Sequence, residues 1–242
     1  MSNNSIYYDI SKYYDLMYVN DETYQTEINR VFSIVNQYKN SAGNELLDIA
    51  CGTGAQAVYL QNHFNVTGID LNNEMLSVAK EKVKSAVFMK ADMFDFDLGK
   101  QFDVIVSLYG AIGHAETIKD LFNGMKCVYK HLKKGGIFII TPFNTKESYN
   151  DALVIRSRAS NFTGLTGFCR METVKRLSDD KIIIEMHHLI SNELNVKYHK
   201  YTQYISLFSE GEYINSIQTA GLKIIKRLTP DEFRMGAFIC TV

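Results

Sequence analysis

Hydrophobic and polar positions along the 242 residues follow two rhythms, and the change comes at Pro142. Before it, short apolar runs alternate with segments whose apolar residues recur every three or four positions. Glu22 to Tyr38 sets Ile28, Val31, Phe32 and Val35 at helical spacing behind a capping Asp21. Leu46 to Ile49 is an apolar run of strand length. It ends in the turn Gly52-Thr53-Gly54, and Ala55 to Phe64 follows as a predicted helix. Val66 to Ile69 predicts a second strand ending at Asp70. Asn72 or Asn73 then caps a helix with Met75, Leu76, Val78, Ala79 and Val83 on one face. Ala86 to Lys90 predicts a third strand, ending at Asp92-Met93. Phe102 to Leu108 predicts a fourth, apolar nearly throughout, as a strand covered on both faces requires. Glu116 to Leu132 reads as a helix stopped by Lys133-Lys134-Gly135-Gly136, and Ile137 to Thr141 as a fifth strand.

After Pro142 the helices drop out. Gly167 to Leu177, Ile182 to Ile190 and Val196 to Phe208 read as consecutive strands, with turns at Asp179-Asp180 and Asn192 to Asn195. Glu210 to Ala220 is a helix closed by Gly221, and Leu222 to Leu228 with Met235 to Val242 forms a final antiparallel pair. The expected architecture is α/β: a mostly parallel seven-stranded sheet with helices on both faces, and an antiparallel platform inserted after the fifth strand. Three segments follow: 1–145, the N-terminal helix and parallel half; 146–208, the antiparallel insertion; and 209–242, the closing helix and strand pair.

Composition narrows the partners. Lys and Arg number 26 against 27 Asp and Glu, a net charge of −1, so no nucleic-acid footprint is expected. Cys51, Cys127, Cys169 and Cys240 are far apart and form no C-x-x-C pair, so neither a disulfide frame nor a metal site is expected. No secretory signal and no run of about 18 apolar residues is present, which predicts a cytoplasmic protein away from membranes.

Ligands of such sheets bind at the carboxyl ends of the strands. Gly52, Asp70, Asp92 and Leu108 to Gly110 all fall there. The two turn glycines allow close backbone approach to a ligand. Gly52 to Ala57 also fits the G-x-G-x-x-A form of a dinucleotide fingerprint, with Asp70 at a ribose-binding distance. Asp48 and Asp92 point elsewhere. Three acids suit a ligand with a ribose, an adenine and a positive amino-acid tail, whereas a pyrophosphate would be repelled.

Leu47-Asp48-Ile49-Ala50-Cys51-Gly52-Thr53-Gly54, then Gly68-Ile69-Asp70-Leu71 with Met75-Leu76, Ala91-Asp92-Met93, Phe102-Asp103-Val104-Ile105 and Leu132 to Gly136 together resemble a class I S-adenosylmethionine-dependent methyltransferase. The resemblance implies a Rossmann-like fold, S-adenosyl-L-methionine as cofactor and S-adenosyl-L-homocysteine as its product. It implies that Asp48, Ala50, Cys51, Gly52 and Gly54 face the methionine part and that Asp70 bonds the ribose. By the same token, Leu71 and Met75 pack on the adenine, Asp92 and Met93 hold its edge, and Leu108 borders the sulfonium. A narrower resemblance, to nucleotide-amino-sugar N,N-dimethyltransferases, rests on Tyr14-Asp15-Leu16-Met17-Tyr18, on Leu207 to Tyr213 leading to Ala220-Gly221-Leu222, and on Met235 to Phe238. Those enzymes often carry tryptophan after the fifth strand, where this chain has Phe143-Asn144.

The leading expectation is therefore methyl transfer to a small-molecule acceptor, chiefly the amine of a nucleotide-linked amino sugar. The alternatives are O- or C-methylation of another small molecule, or a non-catalytic cofactor-binding module. An amine that arrives neutral needs positioning more than acid–base help. Tyr18, Tyr109 and His114 are the candidates for a nearby base. Tyr14, Phe143, Asn144 and Arg170 are the acceptor-side candidates, Arg170 because a pyrophosphate needs a cation. His187 and His188 adjoin on a predicted strand and so face opposite ways. Exposed platform strands allow a homodimer.

Overall fold

A computed structural model describes residues 11–18, 21–150, 154–163, 166–192 and 195–242. Among these, helix α1 (Ser11–Tyr18) and helix α2 (Asp21–Tyr38) precede strand β1 (Glu45–Ile49). A single turn α3 (Ala57–Leu60), strand β2 (Asn65–Asp70), helix α4 (Asn73–Lys82), strand β3 (Val87–Lys90) and strand β4 (Phe102–Ser107) follow. Then come a 3₁₀ turn (Ala111–His114), helix α5 (Ile118–His131) and strand β5 (Leu132–Ile140). Strands β6 (Val154–Thr163), β7 (Thr166–Ser178), β8 (Lys181–Asn192) and β9 (Asn195–Ser206) lead to helix α6 (Glu210–Thr219) and strands β10 (Lys223–Leu228) and β11 (Ala237–Thr241).

The main sheet has the order β10-β11-β5-β4-β1-β2-β3. β1 to β5 run parallel, while β11 pairs antiparallel with both β5 and β10. β1 and β4 therefore sit at the centre, where Leu46, Leu47, Val104 and Ile105 are fully buried. One face is covered by α2 and α4 through Ile28, Val31, Val35 and Leu76, the other by α5 and α6 through Leu121, Met125, Tyr213 and Ile217. The helix starts are chemically specified. The Asn72 side chain accepts the Met75 N–H, and Thr117 with Asp120 and Ser209 with Glu212 form reciprocal capping boxes.

The platform is a separate antiparallel sheet in the order β6-β7-β8-β9. Strict alternation in β8 sends Ile182, Ile184, Met186, His188 and Ile190 inward, against Phe168, Tyr201 and Ile205. Met17, Tyr13, Tyr14 and Tyr18 of α1 pack on that inner face, so α1 joins the platform to the rest of the molecule.

Four elements differ from expectation, the first being α1 itself, which the sequence pattern did not mark as a helix. The helix predicted over Ala55 to Phe64 contracts to the one turn α3, with turns on either side. β5 begins at Leu132 rather than Ile137, and its register with β4 shifts between Phe102 and Val104. There the buried Asp103 carboxylate accepts the Gly43 N–H at 3.1 Å and the Glu45 N–H at 3.0 Å and pairs with Lys133 at 2.8 Å. The platform also has a fourth strand, β6, whose polar sequence Arg156-Ser157-Arg158 suits a sheet edge and carries no apolar alternation.

Candidate active site

A cleft of about 1580 Å³ opens at the carboxyl ends of β1, β2 and β4 and runs on to the inner face of the platform. The loop after β1 forms its floor. Ala50, Gly52 and Gly54 there have φ of 60°, 54° and 70°, a backbone path that curls the chain back. The two glycines serve different ends. A Cβ on Gly52 would meet no atom within 4 Å, so the space above it is open to a ligand. A Cβ on Gly54 would lie 3.0 Å from Ala79 Cβ and 3.2 Å from Phe88, so Gly54 allows α4 and β3 to close on the loop. Ala50, Cys51 and Gly52 line the cleft; Gly54, expected there, does not.

The Asp70 carboxylate braces the loop, accepting the Gly52 N–H and the Asn72 N–H at 2.9 Å each. Burial raises its pKa despite those bonds. Asp48 behaves differently from expectation. Its side chain is 1% exposed, off the cleft wall, and neither oxygen has a hydrogen-bond partner among the described residues. Burial, and then the charge of Asp70, push its pKa up to about 8.

Farther along, Leu71 is 41% exposed on the cleft, with Met75 buried beneath it. Ala91, Met93 and Phe94 continue this apolar wall, and Asp92, which accepts the Phe94 N–H at 2.9 Å, stands at its rim. Leu108 lines the cleft at the end of β4. Asn123 and Lys126 of α5 border the same end, residues that no sequence pattern had marked.

Tyr109, at φ 56°, stacks on Tyr24 at 5.0 Å between ring centres, with the Arg234 guanidinium 5.4 Å from its ring. Its hydroxyl is buried rather than presented to the cleft. Burial first, and then the neighbouring Glu27 carboxyl, push its pKa far above the tyrosine range. Tyr109 is thus a ring wall and not the base suggested by its position. His114 lines the cleft from the 3₁₀ turn, and burial lowers its pKa, so its imidazole is neutral near pH 7.

Helix α1 crosses the cleft. Asp15 accepts the Thr53 hydroxyl and pairs with Lys82, fastening α1 to the loop and to α4. Tyr14 and Tyr18 stack at 4.5 Å on the cleft wall, and the Tyr18 hydroxyl reaches the Met186 sulfur at 3.7 Å. Arg170 lies 4.4 Å above the Tyr18 ring and is ion-paired with Glu172 two residues on. Phe143, Asn144 and Gln203 also line the cleft, at its platform end. His187 and His188 do face opposite ways: His187 bonds Tyr198 at 2.6 Å outside, while His188 is fully buried between Phe168 and Tyr201, and neither lines the cleft.

Glu172, Gln203, Tyr24 and Arg234 were not foreseen as site residues. The first two had a readable signal, because each is a polar residue on the inward parity of an apolar strand face. Arg234 sits in an irregular loop and had none.

The arrangement fits an adenosine ligand with a positive tail. Open space above Gly52, a buried acid pair and the flat apolar wall at Leu71 and Met75 meet it, and the acids oppose a pyrophosphate. Residues 46–136 match the methyltransferase domain family. The dTDP-3-amino-3,4,6-trideoxy-alpha-D-glucopyranose N,N-dimethyltransferase of Streptomyces venezuelae is 26% identical over 89% of this chain and 91% of its own length. The dTDP-3-amino-3,6-dideoxy-alpha-D-glucopyranose N,N-dimethyltransferase of Streptomyces fradiae is 26% identical over 89% and 84%. The crystal structure of Streptomyces venezuelae DesVI superposes with a TM-score of 0.86 at 25% identity, covering 94% of this chain and 96% of that one. The sugar N-methyltransferase KedS8 from a Streptoalloteichus species gives 0.84 at 29% identity, covering 94% and 92%. The chain is a class I S-adenosylmethionine-dependent methyltransferase. Within that class its fold is similar to that of the sugar N-methyltransferase KedS8 over 94% of the chain, a span that takes in most of the platform. No helix among the described residues is long and apolar enough to cross a membrane.

Proposed function

We propose that the protein methylates the amine nitrogen of a nucleotide-linked amino sugar. The observation that carries this reading is the cleft's continuity: it passes from the glycine loop to the inner face of the platform, and the likeness to sugar N-methyltransferases spans the platform as well as the cofactor half. The relatives named above act on dTDP-linked amino sugars.

S-adenosylmethionine, when bound, supplies an electrophilic methyl carbon on a sulfonium. Asp70 holds the ribose, Ala50, Cys51 and Gly52 carry the methionine part along the loop, and Leu71, Met75, Asp92 and Met93 hold the adenine. Leu108 and the Tyr109 ring wall the transfer end. Tyr14, Tyr18 and Phe143 sandwich the sugar, Asn144 bonds it, and Arg170 meets the phosphates once released from Glu172. The amine must be neutral to react, and His114, itself neutral, is placed to take its proton. Positioning between these walls supplies most of the rate. In segment terms, 1–145 binds cofactor, 146–208 presents the acceptor and 209–242 closes the sheet.

The same reading extends to assembly and location. Leu189 and Tyr198, a cross-strand pair, and Met171 leave an apolar outer face on the platform that suits a homodimer. The four unpaired cysteines suit a reducing cytoplasm.

The test is a mass-spectrometric screen with S-adenosylmethionine and dTDP-amino sugars, simple amines, phenols and catechols. A gain of one or two methyl groups on an amino sugar, with equal S-adenosylhomocysteine, supports the proposal. Methylation of phenols or simple amines in its place overturns the acceptor while leaving the enzyme class.

A further inference from the structure

Asp48 is a buried acid that the fold itself does not explain. Its carboxyl is buried at the end of β1, and neither oxygen receives a hydrogen bond from the described residues. Strand register sets a second acid beside it. Gly68 pairs directly with Asp48, so Asp70, two residues farther along β2, lies diagonally across on the same face. The space that a Gly68 side chain would take is filled by the Phe88 ring and the Cys51 sulfur, apolar surroundings that do not solvate either acid.

The other titratable groups around Asp48 offer no relief. They are the Cys51 thiol in the loop, whose own pKa is raised by burial and then by Asp48 and Asp70, and the Tyr24 hydroxyl of α2, pushed up to about 12. Arg234 acts on Tyr24, but the charge that registers at Asp48 is that of Asp70. An ionised carboxylate there would be desolvated, unbonded and next to a like charge. Asp70 is the member of the pair suited to hold the negative charge, because two backbone N–H groups already point at it.

We infer that in the cofactor-free protein Asp48 holds a proton while Asp70 carries the negative charge, and that a positively charged ligand seated on the loop above them expels the Asp48 proton to solvent. Cofactor binding is then coupled to proton release. The cleft prefers a cationic occupant for a stated physical reason: a cation on the loop supplies the counter-charge that the protein itself withholds from Asp48. Asp48 acts here through the field it contributes and not by contact, since it is off the cleft wall.

The sign of the pH dependence follows. In the empty protein Asp48 is protonated up to about pH 8. If binding releases about one proton, the affinity for S-adenosylmethionine rises about tenfold per pH unit below that point and levels above it. The tail ammonium of the ligand is itself almost wholly protonated near pH 6.5 and contributes little.

The experiment is calorimetric titration of the full chain with S-adenosylmethionine near pH 6.5, in buffers of differing ionisation enthalpy. Expected is release of about one proton per site, together with the rising affinity between about pH 6 and 7.5. Asp48→Asn, which mimics the protonated side chain, should bind with no release and a flat profile. A buffer-independent enthalpy in the wild type overturns the inference, as does release of the same size in Asp48→Asn, which would assign the proton to another group such as His114. The wild-type measurements decide the matter even should the variant fold poorly. None of them involves an acceptor, so failure here and failure of the amino-sugar reading are distinguishable.

Discussion

The carboxylate of Asp70 receives the N–H of Gly52 at 2.9 Å, so the acid at the end of β2 holds the loop at the end of β1 in place. Its second oxygen takes the Asn72 N–H, at the cap position of α4. Asp70 is thus both a cleft-lining group and the brace that shapes the cleft. Asp70→Ala removes the charged partner of two backbone donors and the proposed ribose contact together. Charge-assisted bonds contribute about 1.5–3 kcal/mol each, so cofactor Kd should rise about 100-fold or more. Calorimetric titration reads this directly. Near-wild-type affinity would displace the ribose from Asp70.

The division of labour between the two loop glycines yields a contrast in stability and binding. Gly52→Ala places a methyl in open space at φ 54°, which costs about 1 kcal/mol of backbone strain, but the methyl occupies the space reserved for cofactor. Gly54→Ala drives a methyl toward Ala79 and Phe88 at φ 70° and should cost about 2–4 kcal/mol. Denaturant melts of the cofactor-free variants should therefore show Gly54→Ala as the less stable. Cofactor titration should show Gly52→Ala as nearly stable but severely impaired. The reverse ordering would mean that Gly54, and not Gly52, faces the ligand.

That contrast also marks where sequence reading worked and where it stopped. The parallel half was legible because each strand is a run of buried apolar residues ended by a glycine or an acid, and those ends mark one side of the sheet. Asp92 and Leu108 were marked this way, whereas Leu71 and Met75 entered through the family resemblance; all four line the cleft. Side-chain direction was not legible. Tyr109 and Gly54 stand at the right chain positions, yet the Tyr109 hydroxyl turns inward beside Glu27 and the Cα of Gly54 turns to α4, outcomes set by positive φ values that spacing does not encode. Strand β6, at the sheet edge, escaped because its sequence carries no apolar alternation, and α1 because its tyrosines serve a platform far along the chain.

Arg170 and Glu172 form an ion pair on the acceptor side of the cleft, with Glu172 buried. Removing Arg170 alone would leave an uncompensated buried carboxylate, which is itself destabilising. The informative variant is therefore the double change Arg170→Met with Glu172→Gln, which removes both charges at similar volume. It should fold, and bind S-adenosylmethionine with unchanged Kd, while the KM for a nucleotide-linked amino sugar rises about tenfold or more through loss of a charged hydrogen-bonding partner. Steady-state kinetics beside a cofactor titration separates the two effects. An unchanged KM would return the pair to a purely structural role in the platform.

His114 carries a prediction about pH. Burial lowers its pKa from 6.5, so the imidazole is neutral, and able to accept a proton, throughout the neutral range. Its contribution to turnover is lost only as pH falls through that lowered value, which places its acid limb below pH 6.5. His114→Asn keeps a polar side chain of similar size without a titrating nitrogen. Because positioning between the Tyr18 and Tyr109 walls remains, kcat near pH 8 should fall only about tenfold, well short of the loss expected for an obligatory base. The profile of kcat/KM from about pH 5 to 9, which reports the free enzyme and free acceptor, should lose the His114 limb below 6.5 in the variant and keep only the ionisation of the acceptor amine. A variant that retains the same acid limb would assign it to another group. A variant without measurable turnover but with intact cofactor binding would make His114 indispensable and give positioning the smaller share of the rate.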